Sequence, residues 1–228
     1  MGLLSFVRNR DPPGYTGESR SPDVHSRTVE YNDHLYDCAV TESVDHQWEI
    51  AYGRRQDGTV SRVFRISAQT IVDTTIATHP TAAAIATDGS AIYIERLDSA
   101  NTSQITLLQS DGHVAHRTTV ETPLRTPVIS ADGARAAVIS YPPNVTVTLF
   151  SLNSLTNTVT YVLNGRRGRL LGFYEDTTSL LYVTTRPNDE PYLALNPQGE
   201  IIWGNARYRN SQPITERFRG WVRSVAGS

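Results

Sequence analysis

Asp88, Asp132 and Asp176 stand 44 residues apart, and a carboxylate that returns at a fixed interval is the first feature of this chain that could do chemistry. Asp88-Gly89 lies in "ATDGSA", Asp132-Gly133 in "SADGAR", and a further Asp-Gly pair occupies 111–112. A calcium loop needs alternating oxygen ligands, D-x-[DN]-x-[DN]-G, because the cation takes six or more oxygens. Each of these stretches offers one carboxylate. The alternative is a two-residue hairpin turn, in which both central residues need φ > 0 and Asp-Gly meets that need at little cost. The spacing therefore predicts turns, and Asp132 is expected to tolerate Asn.

The other reactive side chains form no constellation. His113 and His116, three apart in "HVAHR", point to opposite faces of a strand and cannot grip one metal. His25, His34, His46 and His79 are scattered. Cys38 alternates with apolar residues in "YDCAVT", as a buried strand cysteine does. No G-x-S-x-G elbow supports a Ser/His/Asp triad. The adjacent pairs Glu175-Asp176 and Asp189-Glu190 read as solvated turns rather than facing carboxylates. No catalytic residue, metal ligand or cofactor is expected.

Arginine gives the clearest hint of a partner. All 21 basic residues are Arg, balanced by 23 acids to a net charge of −2. The balance is uneven: 12 arginines face 17 acids up to residue 164, and nine face six from residue 165 onward. Arg166, Arg167 and Arg169 lie in "GRRGR", and Arg207, Arg209, Arg217, Arg219 and Arg223 follow amid Tyr208, Phe218 and Trp221. Guanidinium forks beside aromatic rings suit phosphate recognition and base stacking. The competing reading pairs these arginines with acids on adjacent strands.

A single cysteine excludes a disulfide framework and fits a reducing, cytoplasmic setting. "MGLLSFVRNR" lacks the basic region and cleavage site of a signal peptide, and no apolar run approaches ~18 residues. A soluble protein is expected. The richness in Thr, Val, Ile and Tyr favours strands.

The elements that would carry these residues follow from the interval. Residues 1–23, with "NRDPPGYTGESRSPD", have no periodicity and are expected to form a disordered tail. From 24 to 228, short alternating runs separated by turn residues predict one all-β domain. The runs group into four units of four strands, about 34–80, 81–123, 124–165 and 166–210. A period of ~40–45 residues with four strands per unit marks a small β-propeller. The first run of a unit, such as "TAAAIA", carries small residues suited to a crowded hub, the middle runs are apolar, and "HVAHRTTVE" has the polarity of a rim. Runs at 24–32 and 214–226 are expected to pair as a reduced fifth blade that closes the ring, the second having an amphipathic helix as its alternative.

"YLALNPQGEIIW", residues 192–203, resembles the repeat of quinoprotein-type (PQQ-like) β-propellers, in which an aromatic-Leu-Ala-Leu strand, a Gly turn and a strand ending in Trp recur. Tyr192, Leu193, Ala194, Leu195, Gly199 and Trp203 carry the match. WD-repeat propellers are a weaker likeness, through the Gly-His at 112–113. Quinone-binding members often use vicinal cysteines, which a chain with Cys38 alone lacks, so the resemblance implies architecture without the cofactor. The expectation is a non-catalytic scaffold that binds another protein through one face of the disc. The alternatives are an anion or nucleic-acid binder using the arginines named above, and a hydrolase with its residues on hub loops.

Overall fold

The computed structural model describes residues 18–20, 24–43, 45–68, 70–77, 79–97, 101–140, 146–152, 154–162, 167–174, 180–186, 192–195 and 201–203. Among them every regular element is a strand, and all the strand pairs are antiparallel. β1 (Glu18–Arg20) belongs to the last sheet. The first sheet runs in chain order through β2 (His25–Tyr31), β3 (His34–Glu42), β4 (Trp48–Arg55), β5 (Ser61–Ser67) and β6 (Ile71–Ala77). The second holds β7 (Pro80–Ile85), β8 (Ala91–Arg96), β9 (Ser103–Leu108) and β10 (Val114–Val120). The third holds β11 (Leu124–Ile129), β12 (Arg135–Ser140), β13 (Thr146–Ser151) and β14 (Ser154–Val162). The fourth holds β15 (Arg167–Tyr174), β16 (Leu180–Arg186), β17 (Tyr192–Leu195) and β18 (Ile201–Trp203), with β1 added beside β15.

The second and third sheets are apolar on both faces because each lies between two neighbours, and the alternation along their strands divides their side chains between two cores. Ile50, Tyr52 and Val63 of the first sheet pack on Ala83, Ile85, Tyr93 and Leu108 of the second. Ala84, Ile92, Ile94, Ile105 and Leu107, on the other face of that second sheet, meet Ile129, Ala136, Val138 and Phe150 of the third. Val128, Ala137, Ile139, Val147 and Leu149 then meet Leu170, Phe173 and Leu195 of the fourth. The stack is propeller-like: successive meanders pack face to face, with β4 against β7, β7 against β11 and β11 against β15. Ala83, Ala84, Val128 and Pro127 are buried on the strands that make these contacts, where small side chains let the sheets approach. In contrast β10 is almost wholly exposed, as an outer strand must be.

Two expectations are corrected. The segment 24–32 does not stand apart as a piece of a fifth blade: β2 joins the first sheet, paired with β3 from His25↔Val40 to Tyr31↔His34. Val29 and Tyr31 of β2 pack with Tyr36, Cys38 and Phe64, and burying that aromatic cluster favours its own sheet over a distant strand. The run 214–226 lies outside the described residues. Nor is 1–23 wholly without structure, since Glu18, Ser19 and Arg20 pair with Tyr174, Phe173 and Gly172. Backbone hydrogen bonds to a sheet edge need no apolar side chain, so composition gave no warning.

The Asp-Gly turns also differ from the two-residue form. Gly58, Gly89, Gly112 and Gly133 have positive φ, whereas the aspartates before them do not. Each glycine N–H donates to the carbonyl three residues back, at Arg55, Ala86, Gln109 and Ser130. The loops are thus three- or four-residue hairpins ending on a left-handed glycine. The aspartate Oδ1 accepts the N–H two residues ahead, Thr59, Ser90, His113 and Ala134 at 2.8–2.9 Å. That bond holds the aspartate in ordinary φ/ψ space and removes the need for a mirror-image turn.

Gly133 does more than turn the chain. A Cβ placed there would lie 2.1 Å from Ser90 Oγ and 2.7 Å from Asp88 Oδ1 of the neighbouring loop. At Gly58 the same atom would have nothing nearer than 3.8 Å. Gly133→Ala is therefore expected to cost about 2–4 kcal/mol, from left-handed strain plus a clash, and Gly58→Ala about 1 kcal/mol from strain alone. Urea unfolding of the two variants checks the difference, and equal losses would contradict the loop contact.

Candidate functional site

The most elaborate polar arrangement among the described residues is built from three of these loops, 86–90, 109–113 and 130–135, at one end of the stack; the Asp57-Gly58 loop lies at the other. Thr87 donates its N–H at 3.1 Å and its Oγ1–H at 2.6 Å to Ala131 O, joining the 86–90 loop of the second sheet to the 130–135 loop of the third. The partners are 44 residues apart, so the sequence period places equivalent loops side by side. From the first sheet, Arg65 on β5 reaches across. Its Nη1 donates to Gly89 O and Gln109 O, both at 3.3 Å, and to Ser110 O. Its guanidinium lies over the Trp48 ring, 4.8 Å from the centroid, a cation–π contact strengthened by exclusion of water. Arg65 is only 5% exposed. Burial pushes its pKa down, and the charges of Asp111 and Asp88 partly offset this. Loops of three sheets are thereby tied into one platform.

The platform presents carboxylates. Asp45, Asp88, Asp111 and Asp132 are all exposed on loops at this end. Each has Oδ1 occupied by a local hydrogen bond: Asp45 accepts from Ser43 Oγ at 2.6 Å, Asp88 from Ser90 Oγ at 2.5 Å and Asp132 from Ser130 Oγ at 2.6 Å, and Asp111 from the His113 N–H. Fixing one oxygen orients the other without a rotamer search. Between the second and third sheets Asp88, Asp111, Ser90, Ser110, Gln109 and His116 line a cleft of about 400 Å³. His116 also borders a groove of about 390 Å³ walled by Thr118, Thr146, Thr148 and Thr160 over Ile105, Val138 and Phe150. A β-bulge between Val114 and His116 breaks the strict alternation assumed for His113 and His116. Among the described residues no cluster of three or more His, Cys, Asp or Glu side chains is placed to hold a metal ion.

The sequence-derived arginine set is mostly out of view. Arg166, Arg207, Arg209, Arg217, Arg219, Arg223 and Trp221 lie outside the described residues, as do Glu175, Asp176, Asp189 and Glu190. The backbone places Arg167 on β15 opposite Arg186 of β16, and Arg169 opposite Thr184. Arg65 and Trp48 were missed because their partners are backbone carbonyls, which leave no mark in a sequence. An arginine within the apolar run "VFRIS" was the one available signal. The inner strands carry Ala82, Ala83, Ala84, Pro127 and Val128.

Cys38 is 3% exposed on β3. Burial, with a smaller push from Asp37, raises its pKa to about 11. The buried thiol stays protonated where an unfolded thiol ionises, so its contribution to stability is complete below about pH 9 and is lost as pH rises towards 11. Tyr52 and Tyr93, also raised by burial, act in the same direction at alkaline pH. Cys38→Ala is expected to flatten the fall in stability between pH 9 and 11, measured by urea unfolding against wild type. A steeper fall in the variant would contradict the buried neutral thiol.

No family profile matches the chain, and no curated protein matches it by sequence. Among solved structures, hydrazine synthase of Kuenenia stuttgartiensis is similar at TM-score 0.45 and 14% identity, over 72% of this chain and 61% of that one. TolB from Acinetobacter baumannii is similar at TM-score 0.31 and 10% identity, over 87% of this chain and 65% of that one. The chain thus spans less than two thirds of the length of either structure.

Proposed function

We propose that this chain is a non-catalytic β-propeller scaffold that binds a protein partner through the Asp-Gly end of its stacked sheets. Its partner would present a basic surface. The observation that carries the reading is the platform itself: four exposed aspartates on loops of three sheets, held in place by local bonds and by Arg65. Preorganised loops give up little conformational entropy on binding, and a patch of one sign steers a partner of the other. The four units are read as blades, with 214–226 adding to the outer edge of β2 to complete the ring. The lone cysteine fits a reducing, cytoplasmic setting.

A second reading, an anion or nucleic-acid binder, draws on the C-terminal arginines. The backbone register sets Arg167 opposite Arg186, with Arg169 two residues further along the same strand. It predicts steeply salt-dependent binding of single-stranded nucleic acid.

The two readings separate with a charge-only variant. Asn keeps the oxygen that accepts the loop N–H and loses the charge, so D88N/D111N/D132N is expected to fold with a stability within about 1 kcal/mol of wild type. Wild type is expected to retain Arg/Lys-rich peptides from a library, with affinity falling as salt rises, and the triple variant to bind them at least about tenfold more weakly. Equal retention by both proteins would remove the acidic platform from the account.

A further inference from the structure

We propose that a second site, at the end of the stack opposite the Asp-Gly platform, binds the phosphate group of a small molecule between the first and second sheets. The cavity there measures about 560 Å³ and is lined by Gly53, Arg54, Ser61, His79, Thr81 and Arg96, with Pro80 and Leu97. Arg54 is the penultimate residue of β4 and Arg96 ends β8, so two different sheets each contribute one guanidinium to a single space. The bond from Arg96 N–H to His79 O, 2.9 Å, fixes the base of the second-sheet wall and brings His79 to the same mouth.

The charges of this cavity are of one sign. No Asp or Glu is among its lining residues. Arg54 and Arg96 are exposed and have no carboxylate partner among the described residues, whereas nearby arginines do. Arg55, the next residue along, pairs with Asp57 at 2.5 Å, and Arg27 pairs with Glu49 at 2.9 Å. Two unpaired guanidiniums facing one cavity repel each other, an arrangement that an anion relieves.

The donor set favours phosphate over carboxylate. Two planar forks, a serine hydroxyl and an imidazole offer more donors than the two oxygens of a carboxylate can accept, while a tetrahedral dianion has three or more oxygens and twice the charge. The cavity exceeds what one phosphate fills, leaving room for the body of a small phosphorylated molecule.

Calorimetric titration with inorganic phosphate at constant ionic strength tests this. Wild type is expected to bind one equivalent, Arg54→Gln and Arg96→Gln each to weaken binding about tenfold or more, and Arg27→Gln to leave it unchanged. Absence of binding, binding unaffected in both cavity variants, or acetate binding as tightly as phosphate would overturn the site. Should a variant fail to fold, amide shifts of wild type decide the matter. Phosphate-induced shifts confined to residues 53–54, 61, 79–81 and 96–97 support the site, and shifts confined elsewhere overturn it. The proposal does not rest on the acidic platform, which lies at the other end.

Discussion

A buried guanidinium fixes the relation between two sheets whose contact is otherwise mostly apolar. Hydrophobic contact sets the spacing of two sheets but is non-directional and does little to fix how far one slides on the next. Arg65 supplies direction: its Nη1 meets carbonyls of two different loops of the second sheet, and Trp48 holds the cation from below. The Thr87–Ala131 bonds do the same between the second and third sheets. Because a buried arginine deprived of acceptors would be costly, this interaction favours one alignment over its neighbours.

That alignment turns a repeat in sequence into a surface. Loops in equivalent positions of consecutive sheets come to lie side by side, and each contributes an aspartate whose one oxygen is committed to its own turn. The Asp-Gly pair therefore has two jobs, the glycine accepting a left-handed backbone against a crowded neighbour and the aspartate closing the loop while keeping an oxygen outward. The opposite end of the stack has a different character, with Arg54 and Arg96 lining a cavity that has no Asp or Glu in its wall. One scaffold thus presents two chemically distinct ends, as its antiparallel strands require when their turns alternate between them.

Much of the architecture was legible in the sequence because it depends on patterns that repeat. The alternation of "AIYIER" and "AAVIS" announced strands buried on both faces, and Ile92, Ile94, Ala136, Val138 and their neighbours occupy those cores. The 44-residue interval announced equivalent hairpins. What local sequence did not disclose was settled by tertiary partners. An Asp-Gly pair suits both a two-residue mirror turn and the longer glycine-ended loop, and only the hydrogen bonds of the closed hairpin distinguish them. β1 adds to β15 through backbone groups that every residue has. Arg65 looks like an anomaly in an apolar strand until the carbonyls of another sheet are brought to it.

The central claim is that loops from three sheets behave as a single preorganised platform. Native-state hydrogen exchange of the amides of Thr87, Gly89, Ser90, Gly112 and Gly133 tests it most directly, since each donates to an acceptor inside the platform. The account predicts that these amides are protected well beyond ordinary surface loops and open with similar free energies, together with the strands beneath them. Exchange of each at the rate of a free loop, independent of the others, would contradict it.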